Sequence, residues 1–238
     1  MTHFDFHVHT ALSACADNLL SPGRIVRKAR ETGVDFVAVT DHNASAHAAV
    51  AVRLAADCGL HILPGMEVNS REEVHLLALF SELEALEDFQ ALIDSVLPVG
   101  ENPTGFFGPQ VIYDERDEIV AMDERMRQMG VSLGLDVLVE EIRGRGGYAV
   151  PAHVYRSRNS LTSQLGFVPE AAGYAALDFA ARTWRSEGLA AGQRVHGYPA
   201  TTGADSHFLE DVGRHFCTIS RSVSTVHELF GALAEVAP

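Results

Sequence analysis

FDFHVHT, residues 4–10, is an apolar run that carries two histidines near the start of the chain. His7 and His9 stand two residues apart, and residues two apart in a β-strand point to the same side. A strand of this sequence therefore aims both imidazoles at one place. The pair is either two hydrogen-bonded core histidines or the beginning of a metal site, and the two residues alone do not separate these alternatives.

Short apolar runs and helix-like segments alternate along most of the chain. Their spacing predicts strands at 4–9, 34–41, 61–68, 73–80, 147–153, 175–180, 198–205 and 215–220. It predicts helices at 22–32, 44–58, 83–96, 134–144, 182–190 and 223–235. Ser21 is the expected N-cap of the first helix, with Pro22 at its first position. The alternation favours an α/β fold with a mostly parallel sheet, and about seven strands are enough to close a barrel.

The stretch 98–131 interrupts this alternation. It contains Pro98, Pro103, Pro109 and four glycines, followed by the acidic segment YDERDE. Proline and glycine in such numbers indicate turns. We therefore predict a single barrel domain over 1–238, with an insertion at 98–131 that carries a small hairpin and a short helix.

Composition limits the class of protein. The 238 residues are 47% hydrophobic and 21% charged, which suits an ordinary globular core. Neither an apolar run of about 18 residues nor the features of a signal peptide are present, so no membrane span is expected. Cys15, Cys58 and Cys217 show no CxxC spacing and indicate a reducing, cytoplasmic compartment. The net charge of −14 disfavours binding to long nucleic acid, which needs clustered Lys and Arg.

Polar side chains recur where the predicted strands end. In a parallel barrel these ends share one face, which is where barrel active sites lie. Imidazoles and carboxylates together are ligands of divalent transition metals, and a carboxylate can bridge two ions. One such spacing is weak evidence, but several strand ends of this kind favour a metal centre over buried, hydrogen-bonded polar groups. The residues at or just after these ends are His7, His9, Asp41, His42, Glu67, His153, Asp205 and His207, and His75 joins them from within its predicted strand.

The motifs FDFHVHT, AVTDHN, PGMEV with VHLLAL, PAH and GADSH together resemble the PHP family, the polymerase and histidinol phosphatase domains. They occur in the order found in that family and span residues 4–207. The resemblance implies a distorted (βα)7 TIM-like barrel with a metal cluster, usually of three ions, at its C-terminal face. It also implies phosphoester hydrolysis, the commonest activity of stand-alone members.

Carried over residue by residue, the resemblance distributes the ligands over three ions. One ion would be held by His7, His9, Glu67 and Asp205. A second would be held by the bridging Glu67 with His75 and His153. A third would be held by an acidic or histidine residue after the first motif, together with His42 and His207.

The residue after the first motif is where this chain departs from the family pattern. The segment TALSACADNLLSP is longer than the family's usual link by about three residues. Alignment from Ser21 and Pro22 places Asp17 at the ligand position, with Asn18 where glycine is usual. Cys15 is the less favoured candidate.

Other residues near these motifs are candidates for catalysis and substrate binding. The predicted catalytic residues are Asp41, Asp205 and His207, and for Asp41 we favour orientation of a ligand over direct contact with an ion. Arg156 and Arg158 follow the PAH motif, and an arginine fork pairs well with a phosphate group. The alternative for this segment is a solvated loop with two exposed cations.

The predicted function is hydrolysis of a small phosphomonoester or nucleotide-type substrate. Three divalent ions of Mn, Fe or Zn would supply hydroxide from a bound water near neutral pH. The alternatives are a nuclease that acts on short oligonucleotides, an amidohydrolase-type enzyme and a non-catalytic metal-binding module. Neither the substrate nor the oligomeric state follows from the sequence.

Overall fold

The computed structural model describes residues 1–236 and confirms the alternation of strands and helices. The strands are β1 (Thr2–Val8), β2 (Phe36–Val39), β3 (His61–Asn69), β4 (His75–Leu79), β5 (Val111–Tyr113), β6 (Ile119–Met122), β7 (Tyr148–Pro151), β8 (Leu177–Asp178), β9 (Arg194–Val195), β10 (Tyr198–Thr201) and β11 (Cys217–Ile219). The helices are α1 (Pro22–Thr32), α2 (Ala46–Ala55), α3 (Leu83–Val96), α4 (Thr104–Phe107), α5 (Leu135–Gly144), α6 (Leu161–Leu165), α7 (Ala181–Ser186) and α8 (Val226–Ala234). Within this range, no helix combines the length and the apolar character needed to cross a membrane.

The main sheet is curled, with the strand order β11-β1-β2-β3-β4-β7. Isolated hydrogen bonds extend it into a ring. The Ala175 N–H donates to the Ala149 carbonyl at 2.9 Å, which joins the segment before β8 to β7. β8 pairs with β10, and the His9 N–H donates to the Ser206 carbonyl at 3.2 Å, which returns the chain to the end of β1. The irregular ring consists of seven strands, β1, β2, β3, β4, β7, β8 and β10, and β11 pairs only with β1. This ring is the distorted barrel that the sequence predicts.

The prediction of a mostly parallel sheet is wrong. β1, β2 and β3 run parallel, but β4 lies antiparallel to both β3 and β7. The link between β3 and β4 is only residues 70–74, whereas a parallel pair needs a crossover of roughly a dozen residues. His75 is the first residue of β4, whereas the predicted strand began at residue 73. It pairs with Asn69 at the end of β3. The reversal brings His75 to the barrel face where β1, β2 and β3 end.

Most predicted elements are present but shorter than expected. The strand predicted at 198–205 ends at Thr201, so Asp205 and His207 lie on the loop that follows β10. The helix predicted at 182–190 ends at Ser186. The short elements α6 and β9 have no counterpart in the sequence-based prediction, because segments of five and two residues carry too little periodicity.

Local signals account well for α1. The Ser21 Oγ accepts a hydrogen bond from the Arg24 N–H at 3.4 Å, as expected of an N-cap. Pro22 occupies the first turn, and Gly33 ends the helix in the left-handed region with a φ of 76°. The buried face of α1 then packs against the outside of the barrel.

The core lies on both sides of the strands. Alternate residues of β2 point in opposite directions, so Phe36 joins the inner cluster while Val37 packs towards the helices. Inside the ring, Leu63 and Leu77 pack with residues of α8, and Phe6 stacks on Phe230 with ring centroids 5.1 Å apart. Helix α8 thereby closes one end of the barrel with apolar side chains and leaves the other end to the polar residues.

The stretch 98–131 contains the predicted short helix, α4, and the predicted hairpin, β5–β6, while its assignment as an insertion in a single domain over 1–238 stays a prediction. It packs against the loop that follows β1. The Val111 N–H donates to the Ala11 carbonyl at 2.8 Å, and the Tyr113 hydroxyl donates to the Asn18 carbonyl at 2.8 Å. The insertion therefore borders the polar end of the barrel.

Gly203 packs closely against β1, where a larger residue would not fit. A Cβ at this position would lie 2.7 Å from the His7 Cβ and 2.8 Å from the Asp5 Oδ1. We predict that Gly203→Ala lowers the free energy of unfolding by about 1–3 kcal/mol, because the added methyl group overpacks a buried contact. Urea denaturation of the purified variant measures the change.

Gly231→Ala is the matched control for this substitution. A Cβ at Gly231 meets no atom within 4 Å, and the residue lies inside α8. Alanine is favoured over glycine in a helix by about 0.5–1 kcal/mol, so this variant should be slightly more stable than the wild type. Wild-type stability for Gly203→Ala would contradict the close approach.

Candidate metal centre

The buried carboxylate of Glu67 is the centre of a cluster of five imidazoles. Glu67 lies on β3 and is only 1% exposed. The closest contact is with the His75 Nδ1, 2.9 Å from Oε1, because antiparallel pairing sets His75 diagonally across from Glu67 on the same face. Ring nitrogens of all five histidines lie within 3.4 Å of a carboxylate oxygen, and these histidines are His7, His9, His42, His75 and His153.

His7 and His9 converge where β1 ends, because residues two apart in an extended segment point to the same side. The pairing with β2 shifts register between Asp5 and Val8, and such bulges turn side chains to new directions. The His7 Nε2 and the His9 Nε2 lie 3.2 Å apart. Two imidazole nitrogens at this distance need a shared proton or a shared cation between them.

His153 provides the test of whether these residues fit a metal ion. Its ring is 1% exposed, and neither ring nitrogen has a hydrogen-bond partner among the described residues. Buried polar groups in proteins are nearly always partnered. An imidazole left open beside the Glu67 carboxylate, with its Nε2 3.4 Å from Oε1, fits a divalent transition metal ion.

The donor atoms fall into three groups in which every pair lies within 4.8 Å. The groups are His7–His9–Glu67, His9–Asp205–His207 and His42–Glu67–His75. Glu67 and His9 each belong to two groups, and a carboxylate in such a place can bridge two ions. His42 lies with Glu67 and His75, whereas the resemblance pairs it with His207 on a third ion.

The structure does not bring the Asp17 carboxylate into this cluster. None of the three groups found among residues 1–236 includes Asp17. Its Oδ1 accepts a hydrogen bond from the Leu19 N–H at 2.8 Å, while its own N–H donates to the His207 carbonyl at 2.9 Å. The side chain that lines the cavity from this loop is Cys15, the less favoured candidate.

Asp41 lies behind His9 and contacts it through one hydroxyl group. The Ser13 hydroxyl donates to the Asp41 Oδ1 at 2.6 Å and accepts from the His42 N–H at 3.1 Å. Because its proton is already used, it can only accept from the His9 Nδ1 at 3.0 Å. The proton of His9 is thereby held on Nδ1, and Nε2 is free for the metal site.

Further buried groups hold Asp41 in place. The Thr10 hydroxyl donates to the Asp41 Oδ2 at 2.7 Å and lies 2.6 Å from the His47 Nδ1. The His47 Nε2 accepts from the Tyr113 N–H at 2.7 Å, so the hydrogen on this ring lies on Nδ1. Sequence reasoning missed Thr10, Ser13 and His47, because their roles depend on contacts between distant segments.

Asp178 stands in a similar relation to His7. Its Oδ2 lies 3.6 Å from the His7 Nδ1 and accepts a hydrogen bond from the His153 N–H at 3.1 Å. Asp178 therefore lies beside two of the histidines at once. From the sequence, Asp178 was either a group that orients a ligand or an ordinary polar residue of the strand predicted at 175–180, and the structure places it at the end of β8.

The electrostatics of the cluster follow from buried opposite charges. Burial disfavours a charged Glu67, but the imidazoles around it, His75 and His7 foremost, outweigh burial and hold the pKa of Glu67 well below its ordinary value. Burial likewise opposes a charge on His9, yet hydrogen bonds with Asp205 and Glu67 raise the pKa of His9 to about 9. Burial lowers the pKa of His42, which favours the neutral form that binds metal.

Two of the predicted metal ligands have strained backbones. The φ of His153 is 35° and that of Asp205 is 48°, a left-handed region that non-glycine residues rarely adopt. Such strain costs about 1–3 kcal/mol and persists where the surrounding structure imposes it. At both positions the unusual backbone turns a donor side chain towards Glu67 or His9.

A cavity of about 220 Å³ lies over the cluster. Arg156 lines it, with its Nη1 3.5 Å from the Asp205 Oδ2, whereas Arg158 is exposed and does not line it. The cavity also has polar lining residues that the sequence analysis did not identify as site residues, namely Asn69, Gln128 and Asn159. No local motif marks these three amide side chains.

Comparison with known proteins places the chain among related sequences. The family model described as PHP domain matches residues 5–134, which is more than half of the chain, and the model described as PHP-associated matches residues 192–237. The 5'-3' exoribonuclease Rnm of Salmonella typhimurium is 33% identical over 95 residues. That match covers 37% of this chain and 31% of Rnm, so the chain is matched to about a third of the length of this curated relative.

Two solved structures with the same fold are an endonuclease and a putative phosphoesterase. The lesion-specific endonuclease PfuEndoQ of Pyrococcus furiosus aligns with a TM-score of 0.64 at 15% identity, over 99% of this chain and 56% of that one. A putative metal-dependent phosphoesterase of Bifidobacterium adolescentis aligns with a TM-score of 0.56 at 16% identity, over 97% of this chain and 95% of that one. At these identities the likeness supports the fold alone.

The link through Ser13 predicts an effect on metal affinity. Ser13→Ala leaves the His9 Nδ1 and the Asp41 Oδ1 without their common partner. We expect zinc binding to weaken by about 10–100-fold, as is usual when a group that orients a ligand is removed. Competition with a chromogenic chelator measures the affinity.

Ser95→Ala is the control, because this exposed serine on α3 donates only to the carbonyl of Leu92. Its zinc affinity should equal that of the wild type. Circular dichroism of each variant shows that the fold is retained. Unchanged zinc binding by folded Ser13→Ala would rule out the orienting role.

Proposed function

Since the chain belongs to the PHP domain family, we propose that it is a metal-dependent phosphoesterase. The observation that carries this proposal is the convergence of five imidazoles on the buried carboxylate of Glu67. A His153 ring with no partner and a neighbouring arginine add what such an enzyme needs, a site for divalent ions and a cation for the substrate. The names of the relatives, an exoribonuclease and an endonuclease among them, also denote cleavage of phosphate esters.

Each residue has a part in the proposed reaction. When bound, divalent ions lower the pKa of a coordinated water and offset the charge of the phosphoryl oxygens. Glu67, Asp205 and the histidines would hold these ions, while Asp41 keeps the His9 proton on Nδ1 through Ser13. Arg156 would exchange its contact with Asp205 for one with the substrate phosphate. The catalytic roles of Asp205 and His207 and the place of Asp17 on a third ion stay predictions.

The substrate we propose is a small phosphomonoester, with short oligonucleotides as a second candidate. Similarity to an exoribonuclease favours this second candidate and weighs against our expectation that long nucleic acid is not bound. The net charge of −14 still disfavours long strands. All three cysteines are free, which agrees with the reducing cytoplasmic compartment that remains our prediction.

The proposed function is tested with purified protein that has been stripped by a chelator and then loaded with Mn²⁺, Fe²⁺ or Zn²⁺. We expect hydrolysis of p-nitrophenyl phosphate with at least one of these ions and none after chelation, because the nucleophile depends on them. Oligonucleotides of increasing length and a panel of simple amides are assayed in parallel. If the ions bind but only amides are cleaved, or nothing is cleaved, the phosphoesterase proposal fails.

The two arginines after His153 offer a matched pair. Arg156 lines the cavity and Arg158 does not, although both are exposed and lie two residues apart. We predict that Arg156→Ala lowers kcat/KM for p-nitrophenyl phosphate by about 10–100-fold, since a charge-assisted hydrogen bond to phosphate is lost. Arg158→Ala should stay within about twofold of the wild type. Equal losses in both variants would show that general surface charge, and not a specific contact, is responsible.

A further inference from the structure

Gln128 extends from the insertion over the metal cavity. It is the residue of the insertion that lines the cavity, whose other lining residues come from the barrel and its loops. Its Nε2 lies 3.9 Å from the Cys15 Sγ. Because a thiol sulfur is a weak acceptor, most of the hydrogen-bonding capacity of this amide is open to a bound molecule.

Asn43, the residue after His42, fixes the backbone on both sides of Gln128. The Asn43 side-chain amide donates one hydrogen to the Arg127 carbonyl at 2.7 Å and the other to the Met129 carbonyl at 2.9 Å. Its Oδ1 accepts from the Asn69 N–H at 3.2 Å. Both amide hydrogens of Asn43 thus bind the insertion, while its Oδ1 binds the backbone of β3.

Arg127 returns this contact from the insertion. It is only 3% exposed, and its Nη1 donates to the Asn43 carbonyl and to the Asp94 Oδ1, both at 2.6 Å. Its Nε donates to the Asp123 Oδ2 at 2.9 Å. Reciprocal bonds between Asn43 and Arg127 hold the Gln128 backbone next to the His42 ligand position, which is the rigid support that a specific contact needs.

Charge separates the role of Gln128 from that of Arg156. Among the described residues that line the cavity, Arg156 is the permanent cation, and it would bind phosphate oxygens together with the metal ions. Gln128 is neutral and can both donate and accept. Its amide therefore suits an uncharged polar group, such as a hydroxyl group or the edge of a base, better than a phosphate.

The size of the cavity places such a group near Gln128. Pockets that enclose a whole drug-sized ligand measure about 300–1,000 Å³. The cavity here measures about 220 Å³, and part of that space belongs to the metal ions and the phosphoryl group. The part of the substrate that leaves phosphorus then extends towards the partly exposed lining residues, and Gln128 is one of them.

We infer that Gln128 is a specificity-determining residue that binds an uncharged polar group on the leaving group of the substrate. This inference rests on the proposed phosphoesterase function and adds to it a contact that selects among phosphomonoesters. It also gives the insertion at 98–131 a role, which is to present this one amide to the cavity. If Gln128 only covers Cys15, its removal affects all substrates alike or none.

The test compares substrates that share a phosphate but differ in the leaving group. Metal-loaded wild type and Gln128→Ala are assayed with phenyl phosphate, glycerol 3-phosphate and uridine 5'-monophosphate. We expect kcat/KM of the variant to fall about tenfold or more for at least one of the two polar substrates, the loss of one hydrogen bond. For phenyl phosphate it should stay within about twofold. Gln164→Ala is the control, since Gln164 is exposed on α6 and does not line the cavity.

The outcomes separate this inference from the proposed function. Equal losses on all three esters, or no loss on any, would overturn the role of Gln128 while leaving the phosphoesterase in place. If the wild type binds metal but cleaves none of them, the proposed function fails. In that case, calorimetric titration of the metal-loaded proteins with uridine 5'-monophosphate and with inorganic phosphate tests the contact of Gln128. Weaker binding of uridine 5'-monophosphate to Gln128→Ala, with unchanged binding of inorganic phosphate, supports the contact, and equal binding of the nucleotide by both proteins refutes it.

Discussion

The polar end of this barrel depends on one buried carboxylate. Glu67 is almost fully enclosed, and a charged group in such a place is costly unless opposite charge compensates it. Protons on His7 and His9 can provide this compensation, which is why the pKa of His9 rises to about 9 although burial opposes it. Metal ions provide it better, because each brings two positive charges. A metal ion can also be bound by a ring nitrogen of His153, which has no hydrogen-bond partner among the described residues. The hydrogen bonds and backbone turns around the cluster direct imidazoles towards the Glu67 carboxylate.

The groups that orient these imidazoles form two supports, one beneath the cluster and one beside it. Asp41 and Asp178 lie beneath, where Asp41 orients His9 through the Ser13 hydroxyl and Asp178 lies 3.6 Å from the His7 Nδ1. Asn43, which follows the predicted ligand His42, lies beside the cluster and is hydrogen-bonded to the backbone of the insertion. The His47 ring connects both supports, since it contacts Thr10 beneath Asp41 and the Tyr113 backbone in the insertion hairpin. A change in the insertion is therefore structurally linked to the orientation of His9.

The sequence predicted the barrel and the donor residues because both have local signals. Strand ends and short motifs marked His7, His9, His42, Glu67 and His153 without knowledge of their contacts. The reversal of β4 was also readable, since the strands predicted at 61–68 and 73–80 leave too few residues for a crossover, but the general alternation of strands and helices favoured a mostly parallel sheet. Ser13, Asn43 and Gln128 could not be predicted, because an ordinary serine or amide acquires its role only when distant segments meet.

The overall charge and the local charge of the site act over different distances. Charges on the protein surface are screened beyond about 8–10 Å at physiological salt, so a net charge of −14 does little to a small anion once it reaches the cavity. There, bound metal ions and Arg156 would lie closest to the phosphate in the proposed reaction and would determine the local field. A long polyanion also meets the acidic surface outside the cavity, and each added phosphate increases the repulsion. The same chain can therefore favour a phosphate ester, or the end of a short strand, while it disfavours a long one.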